Sequence, residues 1–217
     1  MTLLVSWATP TLALLASDTR TRWRALADDA PIERIDDTQC KVRACAAGWM
    51  ASGPFVDWAQ RLAERLADAE SPNEVRARLR RWAPGALAAL DEPTATLLRE
   101  RQMMLVVGST AGREWRLALG WDGADLFPDA RDDRVICVAP NGTEPATIRP
   151  LVDAYQAKIH AGLAESIRAT RALFGAVHQL CGPTGAVSPA LHVGIVQGQT
   201  RQLLGPLAVT ERSSCVR

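Results

Sequence analysis

The chain has 217 residues, enough for one sizeable core, and Lys+Arg 25 against Asp+Glu 24 leave a formal charge of +1, so no global field draws it to nucleic acid or a membrane surface. Cys40, Cys45, Cys137, Cys181 and Cys215 form no C-x-x-C pair and His160, His178 and His192 are scattered, so neither a disulfide framework, nor a metal, nor another cofactor is expected. No run of about 18 apolar residues could span a bilayer, and the setting expected is cytoplasmic and reducing.

The chain opens on two short apolar runs, Leu3 to Ala8 and Thr11 to Ser17, separated by Thr9-Pro10. They predict a strand, a tight turn and a second strand in a sheet covered on both faces, because the runs are apolar throughout rather than alternating. The apolar run also resembles a secretory signal, with Leu15-Ala16-Ser17 as its cleavage site. No Lys or Arg precedes it and Pro10 interrupts it, which favours structure over signal. Thr19 to Asp37 is polar and turns at Asp28-Asp29-Ala30-Pro31; Lys41 to Ala47 reads as a strand that Gly48 to Pro54 breaks.

From Phe55 the period changes. Phe55, Trp58, Leu62 and Leu66 share one helical face, and Ser71-Pro72-Asn73-Glu74 has the composition of a helix start. That helix is expected to break at Pro84-Gly85 and again near Pro93. Met103 to Ser109 and Glu114 to Trp121 read as a hairpin, Arg134 to Ala139 as a third strand, Val152 to about Cys181 as one or two helices, and Leu191 to Leu204 as a last hairpin. Strands come in blocks separated by helices, so the fold class expected is α+β. Two antiparallel sheets would lie between helical layers, a four-layer α-β-β-α sandwich, in one domain over residues 1–217.

The N-terminus carries the functional expectation. Thr2 leads TLLVSWATPTLALLASDTR, with Asp18 and Arg20 closing the second strand; KVRACAAG, MMLVVGS, VICVAPNGTEP and ALHVGIVQGQTRQLL follow in order. This series resembles the proteasome β-subunit branch of the N-terminal-nucleophile (Ntn) hydrolases. The resemblance implies that Thr2, freed of Met1, is a nucleophile whose own α-amine, with a reference pKa of about 7.7 to 8.0, takes its hydroxyl proton. Asp18 would orient the site, Thr143 would supply a loop hydroxyl, and backbone N–H groups near Cys45 to Gly48 would form an oxyanion hole. Arg20, Thr21, Cys45 and Gly48 are the residues expected on the substrate side.

The family also carries a strand lysine roughly thirty residues after the nucleophile. The chain's lysines are Lys41 and Lys158 alone, so Arg34, or Pro31 if the spacing slips, falls at that position, and a guanidinium does not replace an ammonium. CGPTGAVSPA offers Thr184 and Ser188 where the family has an acid and a serine. Two readings follow. One is a threonine peptidase acting on polypeptide or peptide within stacked homo-oligomeric rings, with an ATP-dependent unfoldase as a further partner; the other is a catalytically degenerate ring-forming scaffold.

Overall fold

A computed structural model describes residues 3–23, 34–45, 48–52, 56–67, 69, 71–101, 103–122, 124–127, 131–140, 143–182 and 185–209. Its elements are β1 (Leu4–Thr9), β2 (Leu12–Asp18), β3 (Thr21–Trp23), β4 (Arg34–Asp36), β5 (Val42–Cys45), β6 (Gly48–Ser52), α1 (Val56–Arg65), α2 (Pro72–Ala88), α3 (Glu92–Arg101), β7 (Met104–Thr110), β8 (Arg113–Leu119), β9 (Ile136–Val138), α4 (Pro145–Gln156), α5 (Leu163–Cys181), β10 (Ala190–Gln197) and β11 (Thr200–Ala208). The fold is mixed α+β. One sheet runs β11-β10-β2-β1-β9, another β5-β6-β7-β8, and β3-β4 form a ribbon. Every pairing between these strands is antiparallel.

The continuous apolarity of the first two strands has the expected cause. Leu3, Val5, Trp7, Leu12, Leu14 and Ala16 pack with Leu173, Phe174 and Val177 of α5, while the alternate residues Leu4, Ala8, Ala13 and Leu15 pack with Leu105 and Val107 of β7 and Ala118 of β8. Both faces of the β1–β2 pair are therefore buried, and period-two alternation is hidden because each parity meets an apolar partner. A third cluster joins Leu62 and Leu66 at α1, Val75, Leu79, Ala83 and Leu87 of α2, and Leu98 of α3 to Met104, Val106, Trp115 and Leu117.

Four elements, β3, β4, β6 and α2, depart from the sequence reading. Gly48–Ser52 is a strand, pairing with β5 on one side and with β7 on the other, where Gly48 lies opposite Gly108; a run beginning with glycine becomes strand because it is paired on both sides, on one of them by a strand distant in sequence. The ribbon of β3 and β4 rises within the stretch read as polar loop. Helix α2 continues through Pro84: Val75, Leu79, Ala83 and Leu87 keep one buried stripe across it, and that packing outweighs proline's cost of about 3 kcal/mol. The predicted start holds, with Ser71 Oγ accepting from Glu74 N at 3.2 Å. Among the described residues no helix is long and apolar enough to cross a membrane.

Candidate functional site

Antiparallel pairing of β1 with β2 sets Leu4 opposite Ser17, so the end of β2 returns to the beginning of β1. Asp18 thereby meets Leu3: its Oδ1 accepts the Leu3 N–H at 3.0 Å, and its own N–H donates to the Leu3 carbonyl at 3.3 Å. Asp18 Oδ2 accepts the N–H of Arg20 at 2.9 Å and that of Ser188 at 3.5 Å. A carboxylate so fully buried needs a cation or several donors, and this one has both. Lys41, immediately before β5, places Nζ 3.5 Å from Asp18 Oδ1, with side-chain exposures of 1% and 0%.

The Lys41 ammonium also donates to the carbonyl oxygen of Arg20. Burial pushes its pKa below the ordinary lysine value, against the opposing pull of Asp18 and of the more distant Asp37. The Arg20 guanidinium grips Asp37 twice, Nε to Oδ1 at 2.6 Å and NH2 to Oδ2 at 2.7 Å. Its NH1 reaches the Gly185 carbonyl at 2.9 Å. The Asp37 bond raises the Arg20 pKa. Two cations and two carboxylates thus alternate around one backbone corner.

The segment before β10 closes the site because β10 pairs with β2, Leu191 opposite Asp18. Ser188 Oγ lies 3.0 Å from Thr19 N, 2.8 Å from Thr19 Oγ1 and 2.6 Å from the Ala190 carbonyl it donates to. Thr21 Oγ1 is buried with no hydrogen-bond partner among the described residues, an orphan hydroxyl at the start of the β3–β4 ribbon.

The residues expected from sequence fall unevenly around this centre. Thr2 lies outside the described residues, as do Pro31 and Thr184, but Leu3, its neighbour, is held by Asp18. Arg20 and Thr21 are buried here. Arg34 is exposed at 69% and stands 3.8 Å from Asp36; the cation the structure places on Asp18 is Lys41. Cys45 and Gly48 are partners at the turn end of the β5–β6 hairpin, whereas Val42, next to Lys41, pairs with Ala51. The strand end beside Lys41 is therefore that of Ser52, roughly 10 Å along the hairpin from Cys45. Thr143 is half-buried, its hydroxyl 3.6 Å from Cys181 Sγ.

Lys41, Asp37 and the exact place of Ser188 were not marked by local pattern. The available signal was scarcity, since a chain that uses arginine almost throughout keeps a lysine just ahead of an apolar strand. No group of His, Cys, Asp and Glu among the described residues is arranged to hold a metal ion.

No protein-family model matches the chain, and no curated protein sequence matches it. Its fold is similar to a solved structure of Anbu (Gly-1 mutant) from Hyphomicrobium sp. strain MC1, with a TM-score of 0.60 and 14% identity over 99% of this chain and 89% of that one. A likeness at this identity establishes a proteasome-like fold.

Proposed function

We propose that the chain is a proteasome-like Ntn-hydrolase subunit, a single domain that hydrolyses peptide bonds with Thr2 as nucleophile once the bond before it has been cleaved. One observation carries the reading: a fully buried lysine–aspartate pair grips the backbone N–H of the residue next to Thr2. A structural ion pair in that position would stabilise the strand end, but replacing it with apolar residues would serve stability as well or better. In this reading the buried ammonium serves the Thr2 alkoxide.

The Thr2 amine accepts the hydroxyl proton, Oγ attacks the scissile carbonyl carbon, and the Lys41 charge stabilises the developing alkoxide. The C–N bond breaks as the leaving amine takes the proton, leaving an ester on Thr2. Water, deprotonated by the same amine, hydrolyses the ester and restores the hydroxyl. Backbone donors for the oxyanion are best sought at the Ser52 end of β6 and the N-terminus of α1, where N–H groups and the helix dipole favour negative charge.

The three hydrophobic clusters support reading the layers as a helix-sheet-sheet-helix sandwich. The likeness in fold to Anbu fits a ring-forming subunit; with it go, as parts of the same proposal, a cytoplasmic setting, a polypeptide substrate and an ATP-dependent unfoldase as partner. A second reading, the non-catalytic scaffold, is favoured by Thr143, whose hydroxyl faces Cys181. The two separate on one experiment: mature protein treated with a peptidyl epoxyketone gains one adduct mapped to Thr2, and Thr2→Ala gains none. Rings without an adduct would establish the scaffold.

A further inference from the structure

The Arg20–Asp37 pair is joined to the Asp18–Lys41 pair through the Arg20 backbone. Arg20 belongs to the site through its backbone: its N–H donates to Asp18 Oδ2 at 2.9 Å and its carbonyl accepts the Lys41 ammonium. Where that carbonyl sits decides where the ammonium sits. The Arg20 side chain is locked at both ends of its guanidinium, by Asp37 and by the Gly185 carbonyl. Bidentate guanidinium–carboxylate geometry fixes orientation as well as distance.

Asp37 is itself held. Its neighbour Asp36 accepts the Thr38 N–H at 2.8 Å and the Thr38 hydroxyl at 2.6 Å, and Gln39 N donates to the Thr19 carbonyl at 3.1 Å. The turn that carries Asp37 is thus pinned on its own residues and on the segment leading into Arg20. Asp37 keeps 38% side-chain exposure while Arg20 keeps 5%, so the clamp is applied from the surface to a buried arginine.

We propose that Asp37 is a positioning residue of this site: by clamping the Arg20 guanidinium it fixes the Arg20 carbonyl that holds the Lys41 ammonium. The inference rests on the reading in which Lys41 serves Thr2. The charged groups facing Lys41 are Asp18, Asp37 and Arg20. Removing the Asp37 carboxylate both releases Arg20 and leaves a guanidinium uncompensated near the ammonium, which favours loss of the Lys41 proton.

The test uses full-length Asp37→Asn, Asp37→Glu and Arg20→Lys, with lysine labelled at Cε. Two lysines in the chain give two resonances, assigned with Lys158→Arg. In Asp37→Asn the Lys41 titration moves to lower pH, the Lys158 titration stays, and epoxyketone labelling of Thr2 slows by about 10- to 100-fold. Arg20→Lys, which keeps the charge but loses the fork, slows labelling likewise, and Asp37→Glu recovers much of the rate. Unchanged Lys41 titration in folded Asp37→Asn would overturn the proposal and leave the pair a stabilising staple. A wild-type protein that never labels, but whose Lys41 titration moves in Asp37→Asn, would sink the hydrolase reading while upholding the role of Asp37 on Lys41.

Discussion

Lys41 and Asp18 face each other at 3.5 Å with neither side chain reaching solvent, and the same carboxylate holds the N–H of Leu3. The pair sets a large energetic commitment at the very residue that precedes β1. Removing one partner of such a pair leaves the other buried and uncompensated. Lys41→Met and Asp18→Asn should each destabilise by about 3–5 kcal/mol, read from denaturant unfolding. The double variant should recover a large part of that loss, giving a coupling energy above about 1 kcal/mol. Additive losses would show that the two do not act as a pair.

A second buried polar chain links β1 to α4 and α5. Trp7 Nε1 donates to Tyr155 Oη at 2.7 Å, which lies 2.8 Å from Thr170 Oγ1, which donates to the Ser166 carbonyl at 2.7 Å. Tyr155→Phe leaves the indole N–H unsatisfied and should cost about 1–3 kcal/mol. Burial pushes the Tyr155 phenol up to about 12. Unfolding releases its proton earlier than the fold does, so stability is lost as pH rises beyond about 10. Tyr155 is the single tyrosine, so ultraviolet titration reads it alone: phenolate should appear in the native protein only well above its appearance in denaturant.

His192 on β10 gives the opposite pH slope. It is buried, its Nδ1 has no partner among the described residues, and burial followed by the charge of Arg43 lowers its pKa from 6.5. The unfolded chain therefore binds a proton first on acidification. Stability contributed by neutral His192 is complete above about 6.5 and falls as pH drops through the lowered value. His192→Gln should flatten the dependence of unfolding free energy on pH over that window; an unaltered slope would assign it to other groups.

At the start of α2, Ser71 Oγ accepts the Glu74 N–H at 3.2 Å. Ser71→Ala should cost about 1 kcal/mol in denaturant unfolding, while Ser71→Asp should be near neutral.

Local pattern carried the hairpins, the Ser71 cap and the helix faces because each is decided within a few residues. It did not carry β6, whose pairing with β7 joins Gly48 to Gly108, nor the passage of α2 through Pro84, where buried neighbours override propensity. The site divides in the same way. Asp18 and Arg20 were legible because they close the second strand of the hairpin that opens the chain. Lys41 was not, because counting along the chain points to Arg34, whereas the β3–β4 ribbon intervenes and brings a later residue to Asp18. Three-dimensional proximity, not spacing, selects the cation.

The central claim is that Lys41 supplies the charge that makes Thr2 reactive, and the rate of epoxyketone adduct formation on Thr2 tests it most directly. It should be measured by intact mass in wild-type protein, Lys41→Arg and Lys41→Ala, each shown to be folded. The account predicts a Thr2 adduct in wild type and a loss of about 100-fold or more in both variants. Labelling of Lys41→Ala at the wild-type rate would contradict it.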